Sequence, residues 1–324
     1  MTGIFKANNP FNPFLLFIYG LILKSWWILH PPIFKILPDE GLFFKLIAQS
    51  LTAITVNNFF YVALAYALLF VQAMMFNRLL NNLRMWPKPN YLPAMSYLLL
   101  SSLLPEWNTF SSGLLVNSLL IWGFAKIFKL YNTPAPKTFV FDLGLIIGLI
   151  SLLNFPAIVL VIFILIALSI VRSFNLKEGI IALVGVATPY YFLAAVLYLK
   201  NSISNFKFPY LFRAFPFYQT DVYHMAAFGI ILLLFIIGLF FVQTGINKYV
   251  VQVRKNWAII FLFTVFAIIV SLAGNKPLFQ YFLMLLLPVS PYVAASFFHL
   301  RRIIAEILHL SLVVLVIYCS YFLK

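Results

Sequence analysis

The chain has 324 residues, of which 64% are hydrophobic and only 9% are charged, and its mean hydropathy is +1.03. A soluble domain carries roughly a quarter charged residues, so this composition excludes a water-soluble globular protein and predicts that lipid surrounds the chain. The net charge of +15 does not indicate nucleic-acid binding, because the basic residues lie mostly in short connections, without a basic stripe or a Cys/His finger.

Long, continuous apolar runs indicate membrane-spanning helices. A barrel would instead show alternating segments of about ten residues. Since a crossing helix needs about 20 apolar residues, we predict an all-α integral membrane protein, a polytopic bundle of about eleven transmembrane helices (nine to twelve) in a single domain, residues 1–324. The runs cover approximately residues 11–29, 55–76, 91–104, 110–128, 140–153, 156–171, 179–199, 225–243, 257–273, 278–298 and 303–323. The third, fifth and sixth are short, which fits tilted or half-inserted helices, or a pair broken at residues 154–156.

The distribution of basic residues predicts the side of the membrane on which each connection lies. With the N-terminus in the cytoplasm and alternating spans, 14 of the 22 basic residues are cytoplasmic, as the positive-inside rule requires. These are Lys6, Arg78, Arg84, Lys88, Lys126, Lys129, Lys137, Arg172, Lys177, Lys248, Arg254, Lys255, Arg301 and Arg302. We therefore expect a multi-pass protein of a bacterial inner membrane with a cytoplasmic N-terminus.

Two long connections fall on the periplasmic side in this topology. Residues 30–54 carry apolar side chains at helical spacing, which predicts a helix in the membrane interface, interrupted at Pro38. Residues 200–224 include a part rich in aromatic residues and proline, which is also expected at the level of the lipid headgroups.

The scarce acidic residues point to a candidate site on the periplasmic side. Only seven residues are acidic, and two of them, Asp39 and Glu40, are adjacent between the turn formers Pro38 and Gly41. We predict Asp39 and Glu40 as catalytic residues. The predicted substrate-binding residues lie in other periplasmic connections: Glu106, Lys207, Arg213, Asp221 and His224.

Two chemical roles are open for these carboxylates. One could act as general base towards an acceptor hydroxyl, or it could hold a divalent cation that steadies a departing phosphate. Lysine or arginine would neutralise the same phosphate. The alternative reading is that each acid is an ordinary charge at a helix end. No HExxH, P-loop or GxSxG motif occurs, which argues against metalloprotease, NTPase and serine-hydrolase readings.

Polar residues inside the apolar runs are interpreted first as structural residues. Gln72 and Asn117 are expected to link helices by hydrogen bonds. A substrate path through the membrane is the minority reading, and the break at residues 154–156 is the feature that favours it.

The whole chain resembles an uncharacterised multi-pass inner-membrane family of Bacteroidota, a domain of unknown function. More distantly, residues 11–199 resemble the GT-C glycosyltransferase module, with a first span, a long periplasmic loop with interfacial helices and an acidic motif. Asp39 and Glu40 stand where that family places its first-loop acids, and Glu106 stands near a second acidic position. Residues 200–324 would then add further transmembrane helices. We expect no C-terminal soluble domain of the GT-C kind within these residues, and the acids are few, which departs from the GT-C pattern.

The resemblance implies a transferase that takes a sugar from a polyprenyl-phosphate carrier on the periplasmic side, often with a divalent cation. The alternatives are a non-catalytic subunit that serves as a scaffold for a multiprotein envelope complex, or a transporter. The expected partners are the lipid bilayer, a polyprenyl-phosphate lipid and other envelope membrane proteins, and no nucleic acid.

Overall fold

The computed structural model describes residues 2–36, 40–133, 136–172, 175–199, 201, 222–273 and 279–322. Within these ranges every regular element is helical and no strand occurs. The α-helices are α1 (Thr2–Lys6), α2 (Asn12–Leu23), α3 (Ser25–Leu29), α4 (Leu42–Ile54), α5 (Asn58–Asn82), α6 (Leu92–Leu100), α7 (Ser112–Lys129), α8 (Lys137–Leu153), α9 (Leu160–Val171), α10 (Leu176–Leu199), α11 (Val222–Gly245), α12 (Val251–Leu272), α13 (Leu283–His299) and α14 (Arg302–Phe322). Short 3-10 turns join some of them, among them Pro105–Asn108, Phe155–Val159 and Phe279–Phe282.

Among the described residues, six helices are long and apolar enough to cross a membrane. They are Asn58–Asn82, Leu176–Leu199, Tyr223–Lys248, Val251–Leu272, Phe279–His299 and Arg302–Tyr321. The chain therefore has the architecture of a helical membrane protein. The other predicted crossings also fold as helices but are not among these six, so the total of about eleven stays a prediction.

Helices α6 and α13 form the centre of the bundle. All nine residues of α6 are buried, and so is every residue of α13 from Leu283 to Phe297. The two helices pack against each other, and α5, α7, α11 and α12 pack around them. Helices such as α10 and α11 instead keep large apolar side chains exposed, for example Tyr191 and Leu232, as expected where a helix faces lipid.

Buried amide side chains link the central helices, as the sequence predicts for Gln72 and Asn117. The Tyr97 hydroxyl of α6 donates to Gln72 Oε1 of α5 at 2.7 Å. The Asn117 amide of α7 donates to the Tyr97 hydroxyl and to the Leu283 carbonyl of α13, both at 3.0 Å. One network therefore connects α5, α6, α7 and α13 inside the apolar bundle, although the buried Asn117 Oδ1 has no hydrogen-bond partner among the described residues.

Small residues bring α8 and α10 into backbone contact. A Cβ atom on Gly144 would lie 2.1 Å from the Ala182 carbonyl oxygen, and one on Gly185 would lie 2.4 Å from that of Phe141. Both distances are shorter than any real contact, so glycine is required at these two positions. Such close approach is the usual means of helix association in lipid, where apolar side chains gain little from pairing.

The connections between helices gather at two ends of the bundle. At one end, which we call the first-loop end, residues 30–36, 40–57 and 101–112 gather: the Phe34 and Phe44 rings pack near the Phe110 ring, and Trp107 contacts Phe279, just before α13. The other end, which we call the basic end, holds residues 83–91, 130–133, 246–250 and 300–301. There Tyr91 donates its N–H to the Phe5 carbonyl at 2.7 Å.

Two sequence predictions about local structure were wrong in detail. Residues 31–36 form no helix, and the predicted interfacial helix begins only at Leu42. Pro32 and Pro38 leave only five residues between them, and proline disfavours helix at the residue before it, so little more than one turn could form there. The first apolar run, residues 11–29, is divided into α2 and α3 at Lys24, whose φ is −105° and ψ is 8°.

Candidate functional site

The segment 101–112 contacts three ionisable side chains from other parts of the chain, Lys24, Glu40 and His224. Pro105 begins the 3-10 turn Pro105–Asn108, and Leu104 before it is extended, with ψ 138°, as expected for a residue that precedes proline. Trp107 is fully buried and donates its indole N–H to the Phe279 carbonyl at 2.8 Å. The turn is thereby fixed against the start of α13, with Glu106 and Asn108 on either side of the buried indole.

Glu106 and His224, predicted from separate connections, form a pair in the structure. Glu106 Oε1 lies 3.1 Å from His224 Nε2, and the two side chains are 32% and 11% exposed. The imidazole also stacks on the Phe279 ring, with centroids 3.9 Å apart and planes inclined by 11°. The neighbouring Tyr223 donates its hydroxyl hydrogen to the Leu103 carbonyl. Carboxylate, ring stacking and the Tyr223 anchor thus fix both the position and the plane of the imidazole.

The contact with Glu106 determines which ring nitrogen of His224 carries a proton. A carboxylate accepts hydrogen bonds only, so the contact requires a proton on Nε2 and makes Nδ1 the basic nitrogen of the neutral ring. A carboxylate in this arrangement also stabilises the imidazolium that forms when Nδ1 takes up a proton. Nδ1 itself is buried, so the ring can act as a general base only where the site opens to a substrate.

Glu40 is buried, with 6% of its surface exposed, and it contacts the same segment. The Ser112 hydroxyl donates to Glu40 Oε1 at 3.4 Å, a long hydrogen bond. The next residue, Gly41, donates its N–H to the Leu153 carbonyl at 3.0 Å. The first loop is thereby attached to the end of α8 at a position that points Glu40 toward residues 101–112.

Lys24 belongs to this site, and the sequence analysis did not select it. Its side chain is 2% exposed. The ammonium donates to the Ser101 carbonyl at 3.1 Å and to Asn108 Oδ1 at 2.5 Å. The available signal was a lone lysine inside an apolar run, since a cation at such a position is costly and usually functional.

The predicted site residues therefore have different outcomes. Glu106 and His224 are in contact, and Glu40 contacts the segment that carries Glu106. The remaining four lie outside the described residues: Asp39, Lys207, Arg213 and Asp221. Among the residues that the structure describes, no group of three or more His, Cys, Asp or Glu side chains comes together as a metal site. The divalent cation stays a prediction.

The break at residues 154–156 is present, and the first loop packs against it. Asn154 is extended, with φ −144° and ψ 99°, and it separates α8 from the 3-10 turn Phe155–Val159. The Leu153 carbonyl beside the break accepts the Gly41 N–H. The loop that carries Glu40 therefore packs against the break, and the break helps to form the first-loop end.

No protein-family model matches the chain, and comparisons with curated proteins and with solved structures find no match. The resemblance to the GT-C module and to a Bacteroidota membrane family stays a prediction. Function is therefore inferred from the residues at the first-loop end.

Proposed function

We propose that the protein is an integral membrane transferase that moves a sugar from a polyprenyl-phosphate carrier to an acceptor hydroxyl. The observation that carries the proposal is the Glu106–His224 pair, 3.1 Å apart at the end of a membrane bundle, with Glu106 on a segment that the buried Glu40 and Lys24 also contact. A hydrophobic carrier reaches such a site from the bilayer, and a polar acceptor reaches it from water.

In the proposed reaction, His224 accepts a proton while Glu106 holds the opposite ring nitrogen. His224 Nδ1 is buried in this structure, so the proposal requires the acceptor to open the site when it binds. Nδ1 then takes the proton of the acceptor hydroxyl, whose oxygen forms a bond to the anomeric carbon of the sugar. The bond from that carbon to the phosphate oxygen breaks, and its electron pair leaves with the polyprenyl phosphate. Glu106 stabilises the imidazolium during this step, because it already holds the opposite ring nitrogen.

Lys24 and Glu40 support the pair from two sides in this proposal. Lys24 fixes Asn108, two residues from Glu106, and so acts as a positioning residue. Glu40, with Asp39 beside it, is the second carboxylate and the candidate for substrate or cation binding. Lysine and arginine from residues 200–221 are proposed to neutralise the leaving phosphate, as the sequence analysis expects of Lys207 and Arg213.

The proposed topology places this site in the periplasm. With a cytoplasmic N-terminus and about eleven crossings, the basic end faces the cytoplasm, in agreement with 14 of 22 basic residues. The first-loop end then meets the periplasm of a bacterial inner membrane.

The test measures transfer in membranes that contain the chain. Radiolabelled sugars linked to polyprenyl phosphate are supplied, and the label that leaves the lipid fraction for glycan is counted. His224→Gln and Glu106→Gln are expected to lower the rate about 10²- to 10⁴-fold at equal protein level, the usual contribution of a general base. Glu178→Gln is the matched control, because Glu178 lies in the first turn of α10 at the opposite end.

Unchanged transfer in both His224→Gln and Glu106→Gln would refute the acid–base pair. The double variant Asp39→Asn, Glu40→Gln tests the first loop separately, and normal product from it would remove the catalytic role of that dipeptide. If no carrier supports transfer and other envelope proteins co-purify stably with the chain, the scaffold reading replaces the enzymatic one.

A further inference from the structure

We propose that the basic end of the bundle holds a binding site for the phosphate of an anionic phospholipid. A cleft of about 680 Å³ lies there, between the connection after α5, the end of α11 and the start of α12. Its lining includes Arg84, Lys248, Trp86, Tyr249 and His299. This site is independent of the transferase proposal, since it lies at the opposite end from Glu106 and His224.

Arg84 occupies a backbone position that favours glycine. Its φ is 53°. The Arg84 N–H bonds to the Asn81 carbonyl at 3.0 Å and the Met85 N–H to the Leu80 carbonyl at 3.2 Å. These two bonds form the Schellman motif that closes α5, with Arg84 at the left-handed residue. An arginine costs about 1 kcal/mol there relative to glycine, so the turn alone does not explain its presence, and its cationic side chain is the feature that glycine could not supply.

The cleft carries positive charge that the described acids do not balance. Arg84 and Lys248 line it together, and neither forms an ion pair with any described side chain. No aspartate or glutamate is among the lining residues. Two cations facing one concave surface attract a phosphate group, and the low dielectric of the membrane surface strengthens that attraction.

The position of the cleft across the bilayer favours a lipid phosphate over a soluble one. Lys248 ends one candidate membrane span and Val251 begins the next, so the lining residues between them lie where hydrocarbon gives way to headgroups. Trp86 and Tyr249 are the residue types enriched at this level. Phe241 stacks with His299 at 5.5 Å and adds an apolar wall, against which an acyl chain can lie. Basic clefts between membrane helices on the cytoplasmic side are suited to anionic headgroups.

The test uses the full chain, purified in a neutral detergent and stripped of lipid. Phosphatidylglycerol, phosphatidylcholine and inorganic phosphate are added separately, and thermal unfolding and native mass spectrometry report binding. We expect phosphatidylglycerol to raise the unfolding temperature in a concentration-dependent way. Arg84→Gly and Lys248→Gln are each expected to weaken that binding about fivefold, which corresponds to about 1 kcal/mol for each cation near the surface. Lys177→Gln, an exposed position at the same end that does not line the cleft, should leave it unchanged.

Arg84→Gly separates binding from folding. Because glycine suits φ 53°, this variant is expected to unfold without lipid at the same temperature as the original chain or higher, and still to need about fivefold more phosphatidylglycerol for the same stabilisation. The site would be overturned if both variants, Arg84→Gly and Lys248→Gln, responded to phosphatidylglycerol as strongly as the original chain. It would also be overturned if phosphatidylcholine stabilised the original chain as much as phosphatidylglycerol does. Stabilisation by inorganic phosphate that both variants lose would overturn the lipid assignment and make the ligand a soluble phosphate.

Discussion

Replacing Gly41 by alanine tests whether the first loop must touch the end of α8. Gly41 has φ −62° and ψ 153°, a conformation that any residue adopts, so alanine causes no backbone strain of its own. The reason for glycine is the close approach. A Cβ atom there would lie 2.2 Å from the Leu152 carbonyl oxygen and 2.4 Å from that of Leu153.

The size of the effect follows from these distances. Ordinary contact begins near 3.4 Å, so loop and helix must separate by about 1 Å, which costs about 1–3 kcal/mol as overpacking. The separation also removes the hydrogen bond from the Gly41 N–H to the Leu153 carbonyl, worth about 1 kcal/mol. Together the loss is about 2–4 kcal/mol, and Glu40 moves away from Ser112.

The assay is thermal unfolding in detergent, followed by the transfer measurement at equal protein level. We expect Gly41→Ala to lower the unfolding temperature by several degrees and to lower transfer. Gly229→Ala is the matched control, since a Cβ atom there meets nothing within 4 Å. If Gly41→Ala behaves like Gly229→Ala in both measurements, the close contact does not hold the first loop and our account of Glu40 fails.

Two further predictions concern Lys24 and the topology. Lys24→Met leaves two buried oxygens without their donor and should destabilise the protein by about 1–3 kcal/mol. Adding Asn108→Leu should restore part of this stability in a double-mutant cycle. Strictly additive losses would contradict the contact between Lys24 and Asn108. In a background with Cys319→Ser, an impermeant maleimide should label Val56→Cys in intact cells and Val250→Cys only after permeabilisation, as both residues are highly exposed at opposite ends. Labelling in the reverse order would place the Glu106–His224 pair in the cytoplasm.

The sequence predicts most helices, because each apolar run ends at proline, glycine or charge. It does not predict where a single residue divides an apolar run into two helices. Lys24 divides the first run into α2 and α3, and its burial depends on Ser101 and Asn108, which lie more than 75 positions away. No local pattern reports such a contact.

The candidate site shows the same division between local and distant information. Scarcity of acids selected Glu40 and Glu106, and position in a predicted periplasmic connection selected His224. Their mutual arrangement could not be predicted, because it requires the 3-10 turn at Pro105 to dock on Phe279. The sequence predicted that Gln72 and Asn117 link helices by hydrogen bonds, but it could not show that both bond to the hydroxyl of Tyr97.

The enclosure of α6 has a consequence for how the protein is made. A nine-residue helix is about 14 Å long, roughly half the hydrocarbon thickness of a bilayer, so α6 has no stable place in lipid on its own. Its main cover, α13, begins at Leu283 and leaves the ribosome much later than Leu100. Completion of the bundle therefore waits for the last third of the chain to be synthesised, and a nascent protein truncated before residue 279 should display an uncovered helix to the cell's membrane proteases.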